Sequence, residues 1–278
     1  MERRHPQGII DAYSMKATQL LWTPAAAFWW RDVIRFLRQR NRIIGALATP
    51  LVFWLLVGSG FGPSFRNPGV AAAADSYLAY FFPGTLVLIM LFTAIFSTIS
   101  VIEDRREGFL QGALVAPLSP CAIPLGKFLG GTTLAVLQAG LFCVLAPLAG
   151  MPVGWSQILL LLPALILVGF SMTGLGFLVA WPMDSTQGFH AIMNIFLMPL
   201  WMMSGALFPM PAGTGWLYWV GALNPVSYGV TAIRAALHAG QGSGLPAGYS
   251  EGLLVTALFG ALAFAISVRL VAWRSRRS

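Results

Sequence analysis

Long apolar runs alternate with short charged ones along the whole chain, and the apolar runs are too long for ordinary strands. Crossing the hydrocarbon core takes about 20 apolar residues as a helix. Six segments reach that length, at 44–62, 80–102, 128–149, 158–181, 191–209 and 252–271. The connections are short except for 103–127 and 210–251. The pattern predicts an all-α membrane protein with a six-span domain over 44–278, preceded by a cytoplasmic arm over 1–43.

Composition supports that class. Hydrophobic residues make up 57% of the chain, charged residues 9%, and mean hydropathy is +0.75. Soluble domains carry about 25% charged residues. With 278 residues there is no room for a second folded unit outside the bilayer. Cys121 and Cys143 have no metal-binding spacing, and His5, His190 and His238 are far apart, so neither a metal nor a cofactor is expected on this chain. The net charge of +8 lies beside the spans, which points to anionic membrane lipids and not to nucleic acid. No cleavable signal peptide is expected, and the first span would serve as the targeting signal.

The basic residues set the orientation. Eight fall in the first 42 residues, Arg105, Arg106 and Lys127 in one internal loop, and four after Val268; only Arg66 and Arg234 lie elsewhere. Basic residues concentrate in cytoplasmic loops. An even span count with two basic ends therefore puts both termini in the cytoplasm. Inside the spans, Pro50, Pro83, Pro147, Pro163 and Pro199 are candidate kinks. Gly126 and Gly130 permit close helix approach.

Three segments differ from simple spans. In 26–43, Arg31, Arg35, Arg38 and Arg42 share one helical face, with Trp29, Val33, Phe36 and Leu37 roughly opposite. This predicts an amphipathic interfacial helix, serving as a topology anchor, as a contact for a cytoplasmic partner, or as both. In the internal loop 103–127, the mixed charges Glu103–Glu107 precede Phe109, Leu110, Leu114 and Val115, then Pro117-Leu118-Ser119-Pro120. A short helix is predicted there, needing its own subunit or a partner to pack against. In the external segment 210–250, the cluster Trp216-Leu217-Tyr218-Trp219 and the break at Asn224-Pro225 predict two short helices. Broken helices at membrane depth must be buried in protein or line a cavity.

The order of these features resembles the type-2 ABC transporter permeases, exporters of drugs, polysaccharides and lipo-oligosaccharides. The likeness spans nearly the whole chain. It rests on Glu107-Gly108…Pro117-Leu118-Ser119…Gly126-Lys127 and on Leu223-Asn224-Pro225…Tyr228…Arg234 before the last span. Thr231 stands where many relatives carry an acid, and Pro120-Cys121 where a basic residue is common.

The resemblance implies an ATPase-coupling element built from Glu103, Arg106, Glu107, Gly108, Leu110, Leu114, Pro117 and Leu118. It also implies an interfacial helix carrying Trp29, Arg31, Arg35, Arg38 and Arg42, and a re-entrant external gate with Asn224, Pro225, Tyr228 and Arg234. The implied partners are a separate ABC ATP-binding subunit, which uses ATP and Mg, and a second permease copy or paralogue. The faces of the first, second and fifth spans would line the path. Met198, Trp201 and Met202 would then line it for an amphipathic or lipophilic cargo, unless these residues simply pack the bundle.

This chain is expected to be a transport subunit and not an enzyme. The phosphate-binding pattern GxxxxGK[ST] is absent, since Lys127 is followed by Phe128. An ion-gradient secondary transporter or channel would place ionisable residues inside its spans, which these spans almost lack. An intramembrane enzyme would need clustered Asp, Glu or His. The orientation has a direct check: a Glu107→Cys variant in intact cells is expected to resist membrane-impermeant thiol reagents. Labelling only from outside would overturn it.

Overall fold

A computed structural model of the chain describes residues 6–61, 77–116, 118–151, 153–209, 215–239 and 245–276. Every regular element among them is helical: α1 (Pro6–Arg38), α2 (Arg40–Phe61), α3 (Tyr77–Arg106), α4 (Phe109–Val115), α5 (Ala122–Cys143), α6 (Trp155–Ala180), α7 (Thr186–Trp201), α8 (Trp216–Leu223), α9 (Pro225–Leu237) and α10 (Tyr249–Ser275). A 3₁₀ turn covers Ala146–Ala149, and a π-helical turn, Met202–Ala206, extends α7.

Six helices are long and apolar enough to cross a membrane: α2, α3, α5, α6, α7 with its π turn, and α10. They coincide with the six runs read from hydropathy. The third ends earlier than expected, at Cys143 and not at 149, because Pro147 lies in the 3₁₀ turn; the helix starts earlier instead, at Ala122.

Burial ranks the spans. α3 is enclosed along most of its length by α2, α5, α6, α7 and α9. Its core side chains include Phe81, Phe82, Leu86, Ile89 and Met90. By contrast, α2, α7 and α10 keep broad apolar faces outside the subunit. Such faces suit lipid or another protein. The sequence had assigned the second span to the path lining, and the structure puts that span in the middle of its own subunit.

The N-terminal helix also differs from expectation. Residues 26–43 do not form one helix: α1 begins at Pro6, the chain breaks at Gln39, and Arg40–Ile43 belong to α2. The apolar side of α1 packs on α5, with Val33 and Phe36 buried against Leu134 and the Trp29 indole donating to Thr133 Oγ1 at 3.1 Å. Gly126 makes this approach possible, since a Cβ there would meet the Ala25 carbonyl oxygen at 2.7 Å.

A Gly126→Leu substitution is therefore expected to destabilise the protein by roughly 2 kcal/mol through overpacking. Gly140→Leu on the same helix, where a Cβ meets nothing within 4 Å, should leave it nearly unchanged. Thermal unfolding in detergent separates the two.

Candidate functional site

The charged groups gather at one end of the bundle, where five consecutive residues at the end of α3, Glu103 to Glu107, all make polar contacts with other elements. Glu103 accepts from Arg42 of α2. Asp104 accepts from Arg31, from Arg35 at 3.0 Å and from Lys127 at 2.5 Å. Arg105 donates to the Trp181 and Met183 carbonyls and lies 3.1 Å from the Asp184 carboxylate. Arg106 donates to the Asp184 carbonyl at 2.9 Å, and Glu107 accepts from Arg35 at 2.6 Å.

Charge balances within this network. Asp32, Glu103, Asp104 and Glu107 face Arg31, Arg35, Arg42 and Lys127, four of each sign. Buried ions are tolerated only when paired and hydrogen-bonded, which the Asp104 and Lys127 side chains satisfy at 1% and 2% exposure. Around Arg35, burial works against the charge. The carboxylates of Glu103, Glu107 and Asp104 outweigh it and hold the guanidinium above its ordinary pKa.

α4 hangs from this charged end. Gly108 takes the left-handed conformation at φ 78°, which turns the chain sharply from α3 into α4. Leu110 plugs into the core at 2% exposure, while Val115 on the free side is 70% exposed. Phe109 stacks edge-on against Phe28 at 5.8 Å, and Arg31 lies 3.9 Å above its ring. Between α1 and α4 runs a groove of about 600 Å³, lined mainly by Ala27, Phe28, Phe109, Gly112 and Ala113.

The opposite end is held by hydrogen bonds to backbone carbonyls. The π turn after α7 frees carbonyls that an α-helix would pair internally. Arg234 and Tyr80 both donate to the Gly205 carbonyl, at 2.9 and 3.0 Å, and Arg234 lies 4.6 Å from the centre of the Tyr80 ring. Tyr77 donates to the Leu207 carbonyl at 2.9 Å. Asn224 caps α9 through Val226 N and donates to the Leu200 carbonyl at 2.5 Å. Gly205 itself is left-handed at φ 78°, which costs other residues about 1–2 kcal/mol. Among the described residues, no group of three or more His, Cys, Asp or Glu side chains could hold a metal ion.

A sequence profile of the ABC-2 type transporter family matches residues 25–238, more than half of the chain. The chain belongs to the ABC-2 type transporter family. It is 27% identical over 207 residues to a putative transport permease, ycf38, of Cyanophora paradoxa, covering 73% of this chain and 70% of that one. Nodulation protein J of Sinorhizobium fredii is 26% identical over 249 residues, covering 88% of this chain and 91% of its own. The daunorubicin resistance ABC transporter permease protein DrrB1 of Streptomyces coeruleorubidus is 26% identical over 216 residues, covering 77% and 74%. The protein is thus the membrane permease component of an ABC transporter, and a multi-pass membrane protein. Membership implies an ABC ATP-binding partner.

Glu103, Arg106, Glu107 and Gly108 sit together at the root of α4; Pro117 lies outside the described residues. Leu110 is not a partner contact, because it faces the subunit's own core, and Leu114 and Leu118 pack against that core. Arg31, Arg35 and Arg42 turn inward to acids of α3, so that basic face is not spent on headgroups or a partner; only Arg38 of the four is exposed. Trp29 packs on α5.

Asn224, Pro225 and Arg234 cluster at the π turn, whereas Tyr228 bonds locally to the Ala222 carbonyl at 2.8 Å. Trp201 is not a lining residue: it is 1% exposed, and its indole donates to the Gly84 carbonyl. Met198 is half-buried against the core, and Met202 is exposed. Sequence reasoning passed over Asp32, Ser100, Asp104 and the chemistry of Lys127. Their one signal was Asp32 as a lone acid among arginines, facing a lysine placed in an apolar run. For the same reason Leu110→Asp, which buries a carboxylate, is expected to lower the melting temperature by about 10 °C. Val115→Asp should leave it within about 2 °C, since exposed substitutions are nearly neutral.

Proposed function

We propose that this chain is the permease half of an ATP-driven exporter, with the charged end in the cytoplasm and the π-turn end outside. The observation that carries the reading is the construction of α4. Its root is pinned to α1, α2 and α5 by ion pairs, while Val115 and part of Phe109 remain exposed beside an apolar groove. A helix built that way can receive force from a separate subunit without folding back. The ATPase would seat on Val115, Phe109 and the groove, and would use ATP and Mg itself; this chain is proposed to bind neither.

A second copy or a paralogue would complete the path. The outward sides of α2 (Ile44, Val52, Leu56) and α7 (Ile195, Phe196, Met202) support a lining from these two helices. Their apolar character supports an amphipathic or lipophilic cargo, such as a drug, a lipid or a saccharide conjugate. A relative named for daunorubicin resistance is consistent with an organic cargo of that type. The cluster at Asn224, Arg234 and the π turn would be the external gate. Bacterial inner-membrane placement with both termini cytoplasmic completes the reading. An ion-gradient mechanism is disfavoured because, among the described residues, ionisable groups of the spans lie near their ends.

The test is co-purification with an ABC ATP-binding subunit from the same organism. Val115→Asp is expected to reduce the recovered ATPase about tenfold, as loss of one buried apolar anchor does at an interface. Recovery equal to wild type would remove α4 as the seat.

A further inference from the structure

Lys127, in the second turn of α5, is the one charged residue of that helix, and its ammonium uses all three of its donors. The nitrogen lies 2.9 Å from Asp32 Oδ2 of α1, 2.5 Å from Asp104 Oδ2 of α3 and 2.9 Å from Ser100 Oγ of α3. The Ser100 hydroxyl also reaches Asp32 Oδ2, at 3.2 Å. One side chain therefore joins three helices. A second link runs above it, where Phe109 of α4 is held between Phe28 and Arg31 of α1. Tilting α4 by itself would shear that ring contact and then load Asp104, which is held by Lys127, Arg31 and Arg35.

We infer that Lys127 is a positioning residue that fastens α1 to the charged ends of α3 and α5, so that with the Phe109 contact on α1 these elements and α4 move as one lever. A push on α4 then travels to α1 and α5 instead of being absorbed by bending at Gly108. Removing one partner of a buried pair leaves an uncompensated charge, so the joint resists being broken. The inference rests on the permease reading above.

A purely structural role predicts a different experiment. Replacing both members of a buried ion pair by uncharged groups is often neutral for stability, whereas removing one is not. Lys127→Met strands Asp32, whose next cation is Arg31 at 3.5 Å. The double variant Asp32→Asn/Lys127→Met removes both charges and leaves Asp104 with Arg31 and Arg35.

The measurement uses the assembled permease–ATPase complex with Cys121→Ala and Cys143→Ala, and spin labels on Ala26→Cys of α1 and Gln111→Cys of α4. Without the double substitution, the label distance is expected to be narrow and identical with and without trapped ATP. In the double variant the melting temperature should recover most of the roughly 5–10 °C lost by Lys127→Met. The distance should nevertheless broaden on ATP trapping, and permease stimulation of ATP hydrolysis should fall about fivefold. A double variant with unchanged distance and unchanged stimulation overturns the inference and leaves the permease reading intact. Failure of the wild-type chain to assemble with or stimulate the ATPase sinks that reading and this inference with it.

Discussion

Everything at the charged end depends on keeping the last turn of α3 in place. Residues Glu103 to Glu107 hold α2, α1, α5 and the connection from α6 to α7 by separate polar contacts. A turn of helix presents side chains around its full circumference, so five residues reach neighbours on every side. Burial makes this arrangement stiff. In a low-dielectric setting a paired charge interacts strongly and an unpaired one is costly, so the network has few partly broken states. α3 is also the most enclosed span, and the element that carries α4 is thus the element least free to move by itself.

The other end solves an opposite problem with hydrogen bonds to backbone carbonyls, one of them from the Arg234 guanidinium. The Met202–Ala206 turn leaves carbonyls outside the helical ladder at a depth where water would be scarce. Tyr77, Tyr80, Arg234 and Asn224 supply the missing donors from α3 and α9. Apart from the one from Arg234, these are neutral hydrogen bonds, which carry less cost when broken than buried ion pairs do. A stiff charged end and a more readily remodelled π-turn end suit a permease driven from one side and opened at the other.

In the proposed reading, ABC-2 membership and the exposed apolar faces of α2 and α7 divide the work among subunits, and this chain would supply a surface for force and a surface for cargo. The proposed ATP chemistry is placed elsewhere, consistent with the missing phosphate-binding loop.

The six spans, the short helix after the second, and the paired short helices before the last were legible because each depends on local pattern. An apolar run of about 20 residues has few alternatives in a bilayer. Gly108 and Asn224-Pro225 mark helix ends by backbone geometry alone. Which face each helix presents was not legible. Arg31, Arg35 and Arg42 read as a basic stripe for headgroups, and Leu110 and Trp201 read as contact surface. Tertiary packing brought acids 61 to 73 residues away beneath the arginines and turned the other two side chains inward. The sequence by itself determined the elements and their order, since those follow from hydropathy and local backbone preference. Only the tertiary structure decided the partners of Asp32, Asp104 and Lys127, because a buried charge is matched by whatever the fold brings within about 3 Å, and periodicity within one helix carries no record of that.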